Sequence, residues 1–316
     1  MKPYGWLGLG LLILSEIFLF GKIEPFRTWF YSFAWWSYIL LADNLLLRLR
    51  GRSLIRGRSS ELRLMLPFSV FIWLLFEAYN LLLRNWAYAG LPANPIARRL
   101  GYAAAFATVL PGIFLTCDLI EHFLFGPGPS PAASEAAAAD PEPGRPYPRV
   151  LFLIGLCLSL APLLWPRYLF PAVWVGPILL LDPLLERFGK QSLYSQWRRG
   201  ARRRIASLLL GGLACGVLWE FWNFWAASRW IYTLPLFANW KVFEMPVLGF
   251  LGFPPFALEC WLLYHILAET HRRIRSLPLR AAFWAGIGLY AFLMFLAIDR
   301  RTVIRLASIL SRSAPA

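Results

Sequence analysis

An all-α, polytopic transmembrane helix bundle is the fold class this chain predicts, and three observations predict it. Its 316 residues are 59% hydrophobic and only 16% charged, a balance that ordinary soluble domains do not carry. Apolar stretches recur from end to end, and arginines gather in the loops between them. Crossing a hydrocarbon core of about 30 Å takes about 20 helical residues. About nine stretches meet that length, near 5–21, 27–47, 63–83, 100–124, 149–165, 167–186, 205–227, 248–270 and 280–299.

Each has its own justification. The first follows a single Lys2 and no small-residue cleavage site comes after it, so it reads as a retained helix and not as a signal peptide. The second runs into an arginine-rich loop, and the third carries Glu77 and Asn80 near its end. The fourth closes on His122. The fifth and sixth are interrupted by Pro162, Pro166 and Pro171, which softens their boundaries. The seventh carries Glu220 and Asn223, the eighth Glu259, and the ninth ends at Arg300 and Arg301.

A formal charge of +15 suggests nucleic acid in a soluble protein, but here the basic residues sit between spans. One cluster is Arg48, Arg50, Arg52, Arg56, Arg58 and Arg63. A second is Arg187, Lys190, Arg198, Arg199, Arg202, Arg203 and Arg204, and a third is Arg272, Arg273, Arg275 and Arg280. With nine spans all three share the side of the N-terminus, which the positive-inside rule makes the cytoplasm. Topology and anionic headgroups therefore account for the basicity without nucleic acid. The expected location is the cell inner (plasma) membrane, multi-pass, with membrane lipids as partners. Arg300, Arg301, Arg305 and Arg312 run against this assignment, since they fall on the opposite side. The four cysteines, Cys117, Cys157, Cys215 and Cys260, lie inside spans without CxxC spacing and read as free thiols packed between helices.

The stretch "GPGPSPAASEAAAADPEPGRPYP", 126–148, has linker composition and divides the chain. The expected organisation is a first four-helix repeat over 1–125, the linker, a second four-helix repeat over 149–271, and a ninth helix with a basic tail over 272–316. The halves repeat rare residues in order: Asp43 and Asp182, Arg48 and Arg187, and Ser53 and Ser192 lie 139 apart. Glu77 and Glu220, Asn80 and Asn223, Pro92 and Pro235, Pro111 and Pro254, Cys117 and Cys260, and His122 and His265 lie 143 apart. Trp86 and Trp230, like Tyr88 and Tyr232, lie 144 apart. Such order points to an internal duplication, and an even number of spans per unit makes the two units parallel.

The repeated residues carry the chemistry. Glu77 with Asn80, and Glu220 with Asn223, sit three apart and so share a helix face. An ionisable residue at such depth should face the bundle interior. These pairs can serve as general acid or base, carry a proton, bind a cation, or simply clamp helices together. Trp86 and Tyr88, then Trp230 and Tyr232, follow each pair. They read either as an interfacial aromatic belt or as the wall of a pocket that holds an apolar substrate. Asp43 and Asp182 read as interface anchors paired with the nearby Arg48 and Arg187, and the two histidines as hydrogen-bonding groups. Glu259 has Thr116 as its first-half counterpart, and with Glu220, Asn223, Trp230 and Tyr232 it would make a site specialised in the second half. The segment "LFANWKVFEMPVLGFLGFPPF" has the prolines and glycines of an irregular or re-entrant stretch.

No nucleotide-binding loop, metalloprotease motif or nucleophilic triad context is present, and no metal or cofactor is expected. An acidic residue, then "RWIY", then "FEMPVLGF" resembles the spacing in membrane lycopene cyclase domains over about 40 residues. Where that family places paired glutamates after its proline, this chain has Leu248 and Gly249, and it is not assigned to the family. The expected function is an enzyme acting on a lipid or isoprenoid substrate by proton transfer. The alternatives are a proton- or cation-coupled transporter and a non-catalytic membrane scaffold.

Overall fold

The computed structural model describes residues 1–126, 147–234 and 240–304. The linker, Pro235 and the tail arginines Arg305 and Arg312 lie outside those residues, except for the linker's ends at Gly126, Tyr147 and Pro148. In chain order the helices are α1 (Pro3–Phe20), α2 (Phe26–Arg50), α3 (Ser59–Leu83), α4 (Pro95–Phe106), α5 (Val109–Phe125), α6 (Arg149–Leu164), α7 (Pro166–Leu169), α8 (Gly176–Arg187), α9 (Leu193–Arg198), α10 (Arg203–Trp225), α11 (Phe253–Arg273) and α12 (Leu277–Arg301). Among the described residues four short strands, β1 (Trp86–Ala89), β2 (Arg229–Tyr232), β3 (Lys241–Val242) and β4 (Met245–Pro246), interrupt the helical plan.

Among the described residues seven segments are long and apolar enough to cross a membrane, so the chain is an integral, multi-pass helical membrane protein. They are α1, α3, α4 with α5, α7 through α8, α10, residues 247–273, and α12. Of the nine expected stretches, 27–47 forms the 25-residue α2, which is not among the seven. The stretch 149–165 forms the 16-residue α6, which is shorter than a full crossing.

The chain divides into two compact units. One comprises Met1–Gly112, Gly216–Phe250 and Ala281–Ala316; the other comprises Ile113–Cys215 and Leu251–Arg280.

In the first unit α1 lies along α2, and close approach is possible because Gly8 has no side chain: a Cβ there would stand 2.9 Å from Leu40 Cβ. Asn94 starts α4 by accepting from Ile96 N (2.9 Å) and Ala97 N (3.2 Å), with Pro95 in the first turn. The apolar run 100–124 breaks between α4 and α5, and Ser69 of α3 bridges the break. Its hydroxyl donates to Phe106 O at 2.6 Å and accepts from Leu110 N at 3.0 Å, which satisfies backbone groups that the interruption frees. α12 packs on α3, with Trp284 stacked on Phe68 at 5.3 Å and Tyr290 donating to Leu74 O at 3.0 Å. Asp299, near its end, accepts from Arg98 Nε (2.7 Å), Arg99 Nε (3.1 Å) and Tyr102 Oη (3.2 Å) of α4.

In the second unit α6 crosses α8 where Gly155 meets the Leu179–Leu180 backbone and Gly176 meets Ser159. Arg203 and Arg204 of α10 pair with Glu121 and Asp118 of α5, so four charged groups at the helix ends satisfy one another. Asp118 and Glu121, which have no counterpart in the second half of the sequence, find their role here.

Two sequence readings change. Asp43 and Asp182 form no ion pair among the described residues; each instead pins the loop after its helix. Asp43 accepts from Tyr4 Oη (2.8 Å), Ser53 Oγ (2.7 Å) and Ile55 N (3.0 Å), and Asp182 accepts from Leu193 N (2.6 Å) and Tyr194 N (2.9 Å). A carboxylate that takes loop N–H groups needs no arginine. Of the cysteines, Cys117, Cys215 and Cys260 are buried free thiols, but Cys157 is exposed on α6. The described part of the irregular segment forms a β3–β4 hairpin, with Phe243 left-handed at φ 58°, followed by a 3₁₀ turn over Val247–Gly252.

Candidate functional site

The first unit brings together eight of the nine residues singled out in the sequence. α3 ends at Arg84, a left-handed residue (φ 52°) whose N–H returns to Asn80 O at 2.8 Å. The chain then leaves the helix as β1. The Asn80 side chain catches it there: Oδ1 accepts from Asn85 N (2.8 Å) and Trp86 N (3.1 Å), and Nδ2 donates to Trp86 O (2.9 Å). Asn223 treats β2 in the same way, with Trp230 N donating to its Oδ1 and its Nδ2 donating to Trp230 O, each at 2.9 Å. The carboxamides thus orient the strands that carry the aromatic residues.

Those strands pair with each other. The antiparallel register sets Trp86 opposite Tyr232, Ala87 opposite Ile231, Tyr88 opposite Trp230 and Ala89 opposite Arg229. The polar atoms of Trp86, Tyr88 and Tyr232 turn inward onto the glutamates. Tyr88 Oη donates to Glu77 Oε1 at 2.5 Å, Trp86 Nε1 donates to the same oxygen at 2.9 Å, and Trp73 Nε1 from one turn earlier in α3 donates at 3.0 Å. Tyr232 Oη donates to Glu220 Oε1 at 2.8 Å. Trp73 is the site residue that sequence comparison missed, since Gly216 stands at the equivalent place in the second half.

The two sets differ in enclosure. Glu77, Asn80, Glu220 and Asn223 are all inaccessible to solvent. Trp86 and Tyr88 are buried, at 8% and 6% exposure, whereas Trp230 and Tyr232 are half-buried. Residues after α12 help close the first set: Tyr88 N donates to Thr302 O (2.7 Å) and Ile304 N donates to Tyr88 O (2.8 Å). Around the second set stand aromatic rings from α2, with Tyr31 edge-on to Trp230 at 5.1 Å and Trp35 against Trp219 and Trp222 at 5.5 and 5.0 Å. Arg229, which replaces Asn85 of the first half, donates to Phe224 O at 3.0 Å and stands 3.8 Å from Glu244. Burial, and then the neighbouring carboxylate, push the phenols of Tyr88 and Tyr232 well above the usual tyrosine range.

Each glutamate keeps one oxygen in reserve. Oε2 of Glu77 and Oε2 of Glu220 are buried without a hydrogen-bond partner among the described residues. An oxygen held by donors beside one that is free is an arrangement able to take up or release a proton in a fixed position. Glu259 belongs to the second unit and bonds to none of the other eight; both of its oxygens are buried without a partner among the described residues. His265 Nδ1 bonds Trp261 O at 2.8 Å within its own helix, whereas His122 Nδ1 has no partner among the described residues. Among the described residues no group of three His, Cys, Asp or Glu side chains is placed to hold a metal ion. Comparison with protein families, with curated proteins and with solved structures finds no match for this chain.

Proposed function

We propose that the protein is an intramembrane enzyme that acts on a lipid-like or isoprenoid substrate by proton transfer, with Glu220 as the acid or base. In this reading Tyr232 fixes one carboxyl oxygen, Asn223 holds β2 in place, and Trp230 and Tyr232 wall the apolar part of the substrate. The first set, Glu77 with Asn80, Trp86 and Tyr88, is its structural counterpart. One contrast carries the proposal: among the described residues Glu77 Oε1 takes three donors, of which Trp86 and Tyr88 are buried, whereas Glu220 Oε1 takes one, from the half-buried Tyr232.

Two parallel four-helix repeats and a C-terminal helix belong to the same reading. What supports them is the matched capture of β1 by Asn80 and of β2 by Asn223, together with a reciprocal strand register. A cytoplasmic N-terminus in an inner membrane rests on the arginine loops, of which Arg198, Arg199 and Arg202 are exposed. Glu259 is a further candidate proton site in the second unit.

The test is to purify wild type, Glu220→Gln/Trp230→Ala and Glu77→Gln/Trp86→Ala in mild detergent and to identify bound lipids by mass spectrometry. A specific lipid lost only in the Glu220/Trp230 variant supports the reading, and identical bulk lipids in all three refute it. The unpartnered Oε2 atoms of both Glu77 and Glu220 also favour a second reading, a proton-coupled transporter. Proton flux into liposomes that stops in both Glu→Gln variants would select it.

A further inference from the structure

β1 is bonded along both of its edges. β2 runs along one. On the other, Tyr88 N donates to Thr302 O at 2.7 Å and Ile304 N donates to Tyr88 O at 2.8 Å, so residues 302–304 add to β1 in parallel with Val303 opposite Tyr88. β2 has the same edge without that addition. In an antiparallel pair, successive residues turn their backbone groups alternately toward the partner strand and away from it. Thr233 N donates to Asn85 O at 2.8 Å, so Ile231 and Thr233 face β1 while Trp230 and Tyr232 face outward. Asn223 takes both outward groups of Trp230. Among the described residues nothing bonds to the N–H or C=O of Tyr232, which stands where Tyr88 stands in the first half. All of these residues belong to the first unit. Tyr232 is half-buried and Thr233 beside it is exposed, whereas Tyr88 is buried, so this edge is within reach of a partner.

The geometry of the edge selects the occupant. A partner that meets both groups of Tyr232 must offer a C=O and an N–H that flank one residue and point back together, as Thr302 O and Ile304 N do across Val303. A single lipid amide fails, because its C=O and N–H lie trans and point in opposite directions. Two amides one residue apart are the repeat of an extended peptide, the partner that joins a sheet by strand addition. Native proteins blunt open edges with proline, charge or a bulge, but the neighbours of Tyr232 are Ile231 and Thr233, both β-branched and suited to pairing. The segment Thr302–Ile304 shows the partner's character: three β-branched residues, with no proline at the residue that donates.

We propose that the Tyr232 edge of β2 is a docking site for an extended, β-branched segment of another polypeptide. Its backbone supplies a C=O to Tyr232 N and an N–H to Tyr232 O, with the residue between them opposite Tyr232. This site goes beyond the lipid-substrate reading of Glu220 and does not depend on it.

The test uses the full chain in lipid nanodiscs and a synthetic peptide, acetyl-Arg-Thr-Val-Ile-Arg-amide, which copies residues 301–305. Hydrogen exchange is followed at single amides by mass spectrometry. In the protein alone the Tyr232 N–H should exchange freely while the Tyr88 N–H is protected. Peptide at about ten times its dissociation constant should slow exchange at Tyr232 about tenfold. Methylating the isoleucine nitrogen of the peptide removes the donor to Tyr232 O, so about ten times more peptide should be needed. Methylating its valine nitrogen, which faces away in this register, should change nothing. No variant of the protein is required. Protection of Tyr232 equal to that of Tyr88 in the protein alone overturns the proposal, because the edge is then already filled. Free exchange that the peptide does not slow overturns it as well, and so do equal effects of the two methylated peptides.

Discussion

Replacing Asn80 by alanine should destabilise the protein far more than its position near the end of a helix suggests. Its carboxamide makes three hydrogen bonds to the backbone of residues 85 and 86, all buried, and alanine returns none of them. At about 1 kcal/mol net for each bond, the loss is about 3 kcal/mol, or roughly two orders of magnitude in the folding equilibrium. Asn223→Ala removes two bonds and should cost about 2 kcal/mol. The assay is reversible unfolding by sodium dodecyl sulfate from mixed micelles, followed by near-ultraviolet circular dichroism. A loss below about 1 kcal/mol for Asn80→Ala, or a larger loss for Asn223→Ala than for Asn80→Ala, would refute the argument that the carboxamide anchors the strand.

Other substitutions address separate parts of the fold. Gly155→Ala puts a Cβ 2.6 Å from Leu180 N and should lower the same unfolding midpoint by about 1–3 kcal/mol, as overpacking does. Asp299→Asn leaves Arg98 and Arg99, which are part-exposed, without their shared acid and should cost about 1–2 kcal/mol; hydrogen exchange should quicken first along α12. The phenols of Tyr88 and Tyr232 are held above the usual value, so above pH of about 10 the unfolded chain loses these protons while the folded chain keeps them. Stability should be full below that pH and decline above it, and the double Tyr→Phe variant should show a shallower decline in the same titration.

How far the site could be read in the sequence depends on the range of each interaction. Glu77, Asn80, Glu220 and Asn223 stand out because polar residues in apolar runs are costly and must turn inward, and all four are buried. Their spacing gives no sign of what the asparagines hold, because their partners are backbone atoms of strands only four residues long. A four-residue strand is too short for an alternating pattern to separate it from a helix end, and so the sequence leaves Trp86 and Tyr88 between a belt and a pocket wall and does not show the strand that carries them. The break between α4 and α5 has a local sign in Pro111, which falls in the first turn of α5 and has no N–H to offer Ala107 O. The residue that stabilises the break, Ser69, comes from another helix, and its part is not legible from the run 100–124. Asp299 finds Arg98 and Arg99 across about two hundred residues, which no reading of the ninth stretch alone could anticipate.

The register of β1 against β2 has a further consequence. Trp86 faces Tyr232 and Tyr88 faces Trp230, and under the spacing of 144 these are one pairing written in both directions. Two identical chains meeting about a twofold axis would form the same ribbon, so a protein of half this length could have closed it as a homodimer. In a single chain the two sides of that ribbon need not be alike: Tyr88 of β1 also exchanges hydrogen bonds with Thr302 and Ile304 after α12, a contact that β2 lacks among the described residues, and a symmetric dimer could not give it to one side alone.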